Sequence, residues 1–567
     1  MNRFLILGLF TYLLSFPGVS QEVEFSSTDW ENPAIFEKGQ NLPHAFHTPF
    51  STKDAALKNK ESENFQLLNG QWKFKWVETP EQVPEGFWEP DFNVKNWDEI
   101  KVPANWQMEG FGHPKFRNIA LTFENNPPNI PDYYNPVGCY KRKFAVPENW
   151  KSKEIMLRFE GIKSASYIWV NGKKVGYNQG GFEPAEFNIT PFIKIGNNDL
   201  AVEVIRFSDG SYLENQDMWR LSGIYRDVKL YAQPKIFIHD FYVVTNLDEE
   251  YEDATLSVEA DIQNAKTETS TISLEIDVLD ENNKSILNNE IHSKNFKVDG
   301  ISTEKITLST LVENPKKWSA EFPNLYTILF QLKDKNEKTI EAFTKKIGFR
   351  EVEYNNNLIT VNGVPIKLNG VNSHMHHPEH GQAVPLETLK KDLLIMKQFN
   401  INNVRTCHYP PTTEYIEMAD ELGMYIIDEV GDEAHSNTQL SENPAWTEMY
   451  KDRSRKLVYR DRNHPSVIVW SAGNESGSGF NIEEVIKTGK AIDPSRPAWM
   501  YGGNTFYIPF EDLVGPRYWI PLDFKNMAEG KVLPEDDFRA SYMDEYLAAT
   551  GNGLGGMDEY WELIRKH

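Results

Sequence analysis

The sequence predicts three folded units in series: a β jelly roll, an immunoglobulin-like β-sandwich, and a (β/α)8-type TIM barrel lacking its last strand. Three observations carry this. Short apolar and aromatic runs separated by turn residues fill 66–232, and cleaner apolar–polar alternation fills 235–347. Beyond about 350, buried-looking strands alternate with amphipathic helices, the grammar of a parallel sheet closed into a barrel. The boundaries this sets are 1–20 for an export signal, 21–234 for the jelly roll, 235–347 for the sandwich and 348–567 for the barrel. A chain of 567 residues has room for roughly three or four domains.

The first twenty residues read as a secretory signal. Arg3 supplies the positive start, 4–16 an apolar run, and Gly18-Val19-Ser20 a small-residue cleavage site before Gln21. That run is too short to cross a bilayer, and nothing downstream reaches ~18 apolar residues, so a secreted or periplasmic protein without a membrane span is expected. No Cys follows the cleavage site, so no lipid anchor is expected there. In the jelly roll 71–77, 155–159, 166–170 and 199–205 read as strands, and Asn171-Gly172 is a hairpin turn. In the sandwich 255–262 and 272–278 alternate cleanly. The barrel strands are expected at 366–371, 404–407, 424–428, 467–471, 498–501, 512–515 and 539–543, with helices such as 385–399 and 412–422 between them. A helix at 558–565 comes after the seventh strand. An eight-stranded barrel needs one more, so strands one and seven are expected to keep unpaired edges.

A net charge of −24 excludes nucleic acid as a partner, because phosphate binding needs clustered Lys and Arg. The acidic surplus is scattered, which serves solubility. Cys139 and Cys407 fall in different units and are expected to be free thiols.

Barrel chemistry gathers at the C-terminal ends of the strands. Taken in order, those ends carry His374, then Arg405 with His408, Glu433 with His435, Asn474 with Glu475, Tyr518, and Glu545. Any one of these alone could be an ordinary polar residue at a loop mouth; convergence from six strands is harder to dismiss. Glu475 and Glu545 lie on strands that closure places across the mouth, and retaining glycoside hydrolysis needs two carboxylates ~5–5.5 Å apart. Asp544 competes for the second role, and strand alternation allows only one of Asp544 and Glu545 to face the mouth. A binuclear metallohydrolase is the rival reading, opened by His374-Met375-His376. It fails because no histidine lies between His464 and His567 to complete the metal shell.

The run Asp461-Arg-Asn-His-Pro-Ser-Val-Ile-Val-Trp-Ser-Ala-Gly-Asn-Glu475 resembles the acid/base signature of glycoside hydrolase family 2. Gly370-Val-Asn-Ser-His-Met-His-His-Pro378 and Val404-Arg-Thr-Cys-His-Tyr-Pro410 resemble that family's first two barrel strands. Asp217-Met-Trp-Arg-Leu-Ser-Gly-Ile-Tyr-Arg-Asp227 resembles the signature of its N-terminal sugar-binding domain, and Asn135-Pro-Val-Gly-Cys-Tyr140 its β-galactosidase subgroup. The resemblance runs from about 66 to 566. It implies a retaining hydrolase that removes terminal β-D-galactosyl residues, with Glu475 as acid/base and Glu545 as nucleophile. It also implies that Arg405 and Tyr518 flank the nucleophile, that Asn474 binds the sugar 2-hydroxyl, and that His374 and His408 bind other ring hydroxyls. Asn118 and Asp217 would reach the pocket from the jelly roll. Glu433, His435 and Glu475 would hold Mg2+, while a Na+ site would be incomplete here. The partner implied is a β-galactoside oligo- or polysaccharide, and a homo-oligomer is compatible with it.

Two departures qualify the resemblance. The family's β-galactosidases carry His three residues after the nucleophile, where this chain has Ala548, which opens the substrate's C6 position to modified galactosides. Family members also continue past the position of His567 into an eighth strand, so a non-catalytic carbohydrate-binding remnant is a further alternative. A β-glucuronidase or another family 2 exo-glycosidase is the nearest rival. Glucuronidases use an Asn-x-Lys element after the nucleophile, and Gly551-Asn-Gly-Leu-Gly-Gly556 has no Lys.

Overall fold

The computed structural model describes residues 24–567 except 27, 59–60, 288–290, 293–294, 356, 497–498, 504–507, 516 and 548–554. The expected export signal and Ala548 therefore lie outside the described residues.

Apolar residues on both faces of the first unit's strands explain how it is layered. Its larger antiparallel sheet has the spatial order Glu37–Lys38, Lys173–Gln179, Ala165–Val170, Gly196–Ile205, Val137–Val146, Gly70–Val77, Asp98–Val102. A smaller sheet of Ala185–Asn188, Glu154–Phe159, Val228–Gln233 and Phe65–Leu67 packs against it, and Trp72, Tyr140, Ile168 and Val202 meet Leu157, Phe159, Phe187 and Leu230 between them. The alternate residues Tyr167, Trp169 and Ala201 point the other way, into a second core shared with the barrel. The Asn171-Gly172 turn joins paired Val170 and Lys173, with φ of 52° and 81°. Positive φ at both positions is what this two-residue turn requires and what Asn-Gly supplies.

The second unit obeys the alternation closely. Ala254–Asn264 sits between Ile236–Leu247 and Ser302–Val312, and buries every other residue against the sheet containing Ser270–Leu279, Tyr326–Asp334 and Thr339–Ile347.

In the barrel, the parallel strands β1 (Gly370–Asn372), β2 (Asn403–Arg405), β3 (Tyr425–Glu429), β4 (Val467–Asn474) and β5 (Trp499–Gly502) form one sheet in that order. β6 (Leu513–Val514) pairs in parallel with β7 (Ala540–Ser541). The helices are α1 (Leu386–Gln398), α2 (Thr413–Leu422), α3 (Thr447–Asp461), α4 (Phe480–Ile492), α5 (Pro521–Ala528) and α6 (Met557–Lys566). Ile427, Val469, Met500, Leu513 and Ala540 fill the interior together with Val352, Ile359 and Val361 of a hairpin, Val352–Asn355 and Leu358–Val361. Among the described residues no ladder joins β7 to β1. Side chains span that gap: Asn372 Nδ2 donates to the Asp544 carbonyl at 3.0 Å and the Tyr542 hydroxyl to Asn403 Oδ1 at 3.1 Å.

Candidate active site

β4 ends in a turn that only glycine can make here. Gly473 has φ of +114°, and a Cβ on it would stand 1.7 Å from Asp432 Oδ1. The next residues are pinned: the Asn474 N–H donates to the Asp432 carbonyl (2.9 Å) and the Glu475 N–H to the Gly502 carbonyl (2.7 Å). Glu475 itself has φ of 42°, a left-handed conformation that non-glycine residues adopt at a cost and that concentrates at functional sites.

Two buried guanidiniums organise the mouth. Arg405, at the end of β2, donates to Glu429 through Nε (2.6 Å), to Glu545 Oε1 (3.0 Å) and to Asn474 Oδ1 (2.9 Å). Arg517 lies 3.1 Å from Glu475 Oε1 and 3.2 Å from Glu545 Oε1, and donates to Asn474 Oδ1 at 2.7 Å and to Asp544. One cation thus touches both candidate catalytic carboxylates. The Tyr518 hydroxyl donates to Glu545 Oε2. Burial works to raise the Glu545 carboxyl, but Arg517, Arg405, His408 and the Tyr518 hydroxyl pull it down to about 2. It is a carboxylate at any ordinary pH.

His408 Nδ1 lies 3.0 Å from Glu429 Oε1, and its Nε2 lies 3.9 Å from Glu545 Oε1. Burial, reinforced by Arg405, depresses His408, and burial together with His376 and Arg405 lowers His374 to about 4. Both imidazoles are neutral near pH 7. Asn474 accepts from the two arginines, while its buried Nδ2, beside Glu433, makes no well-formed hydrogen bond among the described residues.

A second cluster adjoins the first. His435 lies 3.3 Å from Glu433 Oε1 through Nδ1 and 3.1 Å from Glu475 Oε2 through Nε2. The ligand atoms of Glu433, His435 and Glu475 all fall within 4.8 Å of one another. Burial pushes Glu433 up to about 7 against the pull of His435, and both its oxygens are buried without a hydrogen-bond partner. A buried carboxylate paired with nothing stronger than an imidazole, beside another carboxylate, is a donor set that a hard divalent cation satisfies.

The jelly roll contributes the loop 213–217. The Glu433 N–H donates to the Leu213 carbonyl (2.6 Å) and the Asn215 N–H to the Glu433 carbonyl (2.9 Å), so this loop is bonded to the backbone of the second cluster. Burial raises the Asp217 carboxyl, which lies within electrostatic range of His435, Glu475 and Glu545, and its Oδ1 has no hydrogen-bond partner among the described residues. Asn118 is exposed. The ribbon register Met218↔Arg117, extended by one residue, sets it opposite Asp217.

Sequence reasoning misses Arg517 and Glu429. Arg517 stands beside Tyr518, and nothing in its immediate sequence marks it. Glu429 ends β3 and is legible as a strand-end acid. Asp544 and Glu545 share Arg517, Asp544 also lies 3.9 Å from Arg405, and Asp544 is the more deeply buried of the two. β7 stops at Ser541, so residues 544 and 545 lie in a bend where strand alternation no longer applies.

Two carboxylates at the C-terminal mouth of a parallel β/α barrel are the groups, at the place, that glycoside hydrolysis requires. Three family models match in series: "Glycosyl hydrolases family 2, sugar binding domain" over residues 65–234, "Glycosyl hydrolases family 2" over 236–350, and "Glycosyl hydrolases family 2, TIM barrel domain" over 352–567. The chain belongs to glycosyl hydrolase family 2. A protein named beta-galactosidase from Priestia megaterium (strain DSM 319 / IMG 1521) is 39% identical over 560 residues, covering 95% of this chain and 53% of the relative. Another so named, from Vibrio vulnificus (strain CMCP6), is 38% identical with the same coverage. The chain thus spans about half the length of these curated relatives. Among solved structures, a Bacteroides uniformis beta-glucuronidase superposes with a TM-score of 0.72 at 22% identity, covering 89% of this chain and 62% of that one. A Bifidobacterium dentium beta-glucuronidase complexed with coumarin-3-O-glucuronide gives 0.70 at 20%, covering 89% of each chain. These structures share the fold.

Proposed function

We propose that this chain carries the catalytic centre of a retaining β-galactosidase, and the observation that carries the reading is the pair Glu475 and Glu545 held on a single guanidinium at the barrel mouth. The 38–39% identity to proteins named beta-galactosidase supports the galactoside. So does the absence of Lys in the tract 551–556. Glu545, ionised beneath its arginines, attacks the anomeric carbon while Glu475 passes a proton to the glycosidic oxygen. Glu475 then takes a proton from water, which attacks the anomeric carbon from the face the aglycone left, opposite Glu545; the Glu545 carboxylate departs, and two inversions leave the configuration retained. Asn474 offers its amide N–H to the 2-hydroxyl. His374 and His408 receive other ring hydroxyls, and Asn118 and Asp217 bound the pocket from the jelly roll.

Glu433, His435 and Glu475 fit Mg2+, which would neutralise the buried acid pair and fix Glu475 in place. Ala548, where a histidine would meet C6, favours galactosides modified at that carbon. Export to the periplasm or beyond would bring such an enzyme to polymeric substrates.

The test is to incubate the protein with a 2-deoxy-2-fluoro-β-galactosyl donor bearing a good leaving group. The fluorine destabilises both oxocarbenium-like transition states, so the glycosyl-enzyme accumulates. Peptide mapping should find the adduct on Glu545. An adduct on Asp544, a product of inverted configuration, or labelling only by the glucuronyl analogue would overturn the assignment.

A further inference from the structure

Beside Glu545 lies a second constellation that the hydrolytic mechanism does not use as such. The ligand atoms of His374, Cys407 and His408 fall within 4.8 Å of one another. Cys407 is buried, at 3% exposure, and forms no disulfide. The imidazoles of His374 and His408 stand edge to face, centroids 5.3 Å apart. His374 Nδ1 is buried without a hydrogen-bond partner among the described residues. His408 Nδ1 stands 3.0 Å from Glu429 Oε1, and the tautomer that donates from Nδ1 to this carboxylate leaves Nε2 as its free ligand atom. A carboxylate on the far nitrogen is the arrangement that orients a metal-binding histidine.

We propose that His374, Cys407 and His408 form an inhibitory site for a soft or borderline transition-metal ion, Zn2+ or Cu+, inside the pocket. One sulfur and two imidazole nitrogens select such ions over Mg2+ and Ca2+, which prefer oxygen. Three protein ligands leave a fourth, tetrahedral position open to water. Bonds of ~2.0–2.3 Å set tetrahedral ligand atoms roughly 3.5 Å apart, so the three draw together when the ion binds. The Cys407 thiol gives its proton to solvent when the ion binds, and the thiolate with the neighbouring Glu429 and Glu545 offsets the added charge against Arg405. Because His374 and His408 are also the residues assigned to ring hydroxyls, ion and sugar exclude one another. That competition rests on the proposed function; the metal site itself does not.

The test uses Co2+ as a spectroscopic probe on Mg2+-saturated protein. Binding should produce a thiolate-to-cobalt charge-transfer absorption that is lost in Cys407→Ser and kept in Glu433→Gln. The other thiol, Cys139, is buried in the jelly roll. No absorption, or an absorption that survives Cys407→Ser, overturns the site. Zn2+ should raise the apparent KM at constant kcat, and Cys407→Ser, with its own turnover preserved, should weaken that inhibition at least tenfold. Galactose should bleach the cobalt absorption. A Cys407-dependent absorption that galactose leaves untouched would uphold the metal site and refute the assignment of these histidines to the sugar.

Discussion

Arg517 stands among Glu475, Glu545 and Asp544. A planar guanidinium can face several carboxylates at once, which a lysine ammonium does only as a point charge. Its removal has a definite electrostatic consequence. In the proposed mechanism Glu545 must be ionised to act as nucleophile, and Arg517 and Arg405 hold its carboxyl down to about 2 against burial. In Arg517→Met the burial contribution meets one cation instead of two, so the carboxyl rises and the nucleophile is lost at a higher pH. The acid limb of kcat/KM should therefore move upward, and the plateau should fall ~10–100-fold, the worth of one charge-assisted hydrogen bond at ~1.5–3 kcal/mol. Arg517→Lys should recover part of both. A pH profile of Arg517→Met that overlays the wild type would show that Arg405 alone sets the nucleophile.

At the scale of single elements, the end of β4 shows how a strand is made to present two side chains in sequence. Gly473→Ala would force a methyl against Asp432 and place a side chain at φ +114°. The expected cost is ~1–3 kcal/mol of backbone strain, with a ~100-fold fall in kcat as Asn474 and Glu475 shift. Calorimetry and steady-state kinetics would check it, and an unchanged kcat would mean that the Glu475 N–H bond to Gly502 alone fixes the acid/base. The same contrast between long and short elements governs how much is legible in the sequence. Helices of ten residues or more are legible from their periodicity: the expected 385–399 and 412–422 appear as Leu386–Gln398 and Thr413–Leu422. β6 and β7 are two residues each, too short to impose a facing pattern on the residues after them. For that reason strand alternation does not separate Asp544 from Glu545, and Arg517 carries no sequence signal of its own. The strand-end acids and histidines are legible because barrel topology brings strand ends together wherever the loops wander.

Across the whole molecule, the jelly roll is bonded into the catalytic mouth through the loop 213–217, and one buried ion pair holds that loop. Glu214 Oε1 accepts from Arg453 NH2 at 2.7 Å, from a jelly-roll loop to α3, with both side chains 2% exposed. The same carboxylate accepts from the Gly181 N–H at 3.1 Å, and its neighbours on either side exchange backbone hydrogen bonds with Glu433. Three residues along the chain sits Asp217. Glu214→Ala would leave the Arg453 guanidinium buried beside a vacancy, with its other bond, to the Met449 carbonyl, intact. Breaking one side of such a pair costs ~3–5 kcal/mol, part of which the other acids beside Arg453, Glu183 and Asp452, offset here. The variant should therefore unfold at lower temperature. It should also raise KM while leaving kcat nearly unchanged, because in the proposed function the loop brings Asp217 to the sugar and takes no part in proton transfer. Replacing the pair together, Glu214→Leu with Arg453→Met, removes both charges and should return most of the stability without returning the low KM, since the Gly181 bond that shapes the loop stays lost. A Glu214→Ala protein with wild-type melting would sink the claim that this pair holds the interface. A fall in kcat at constant KM would place the loop in the chemistry rather than in binding.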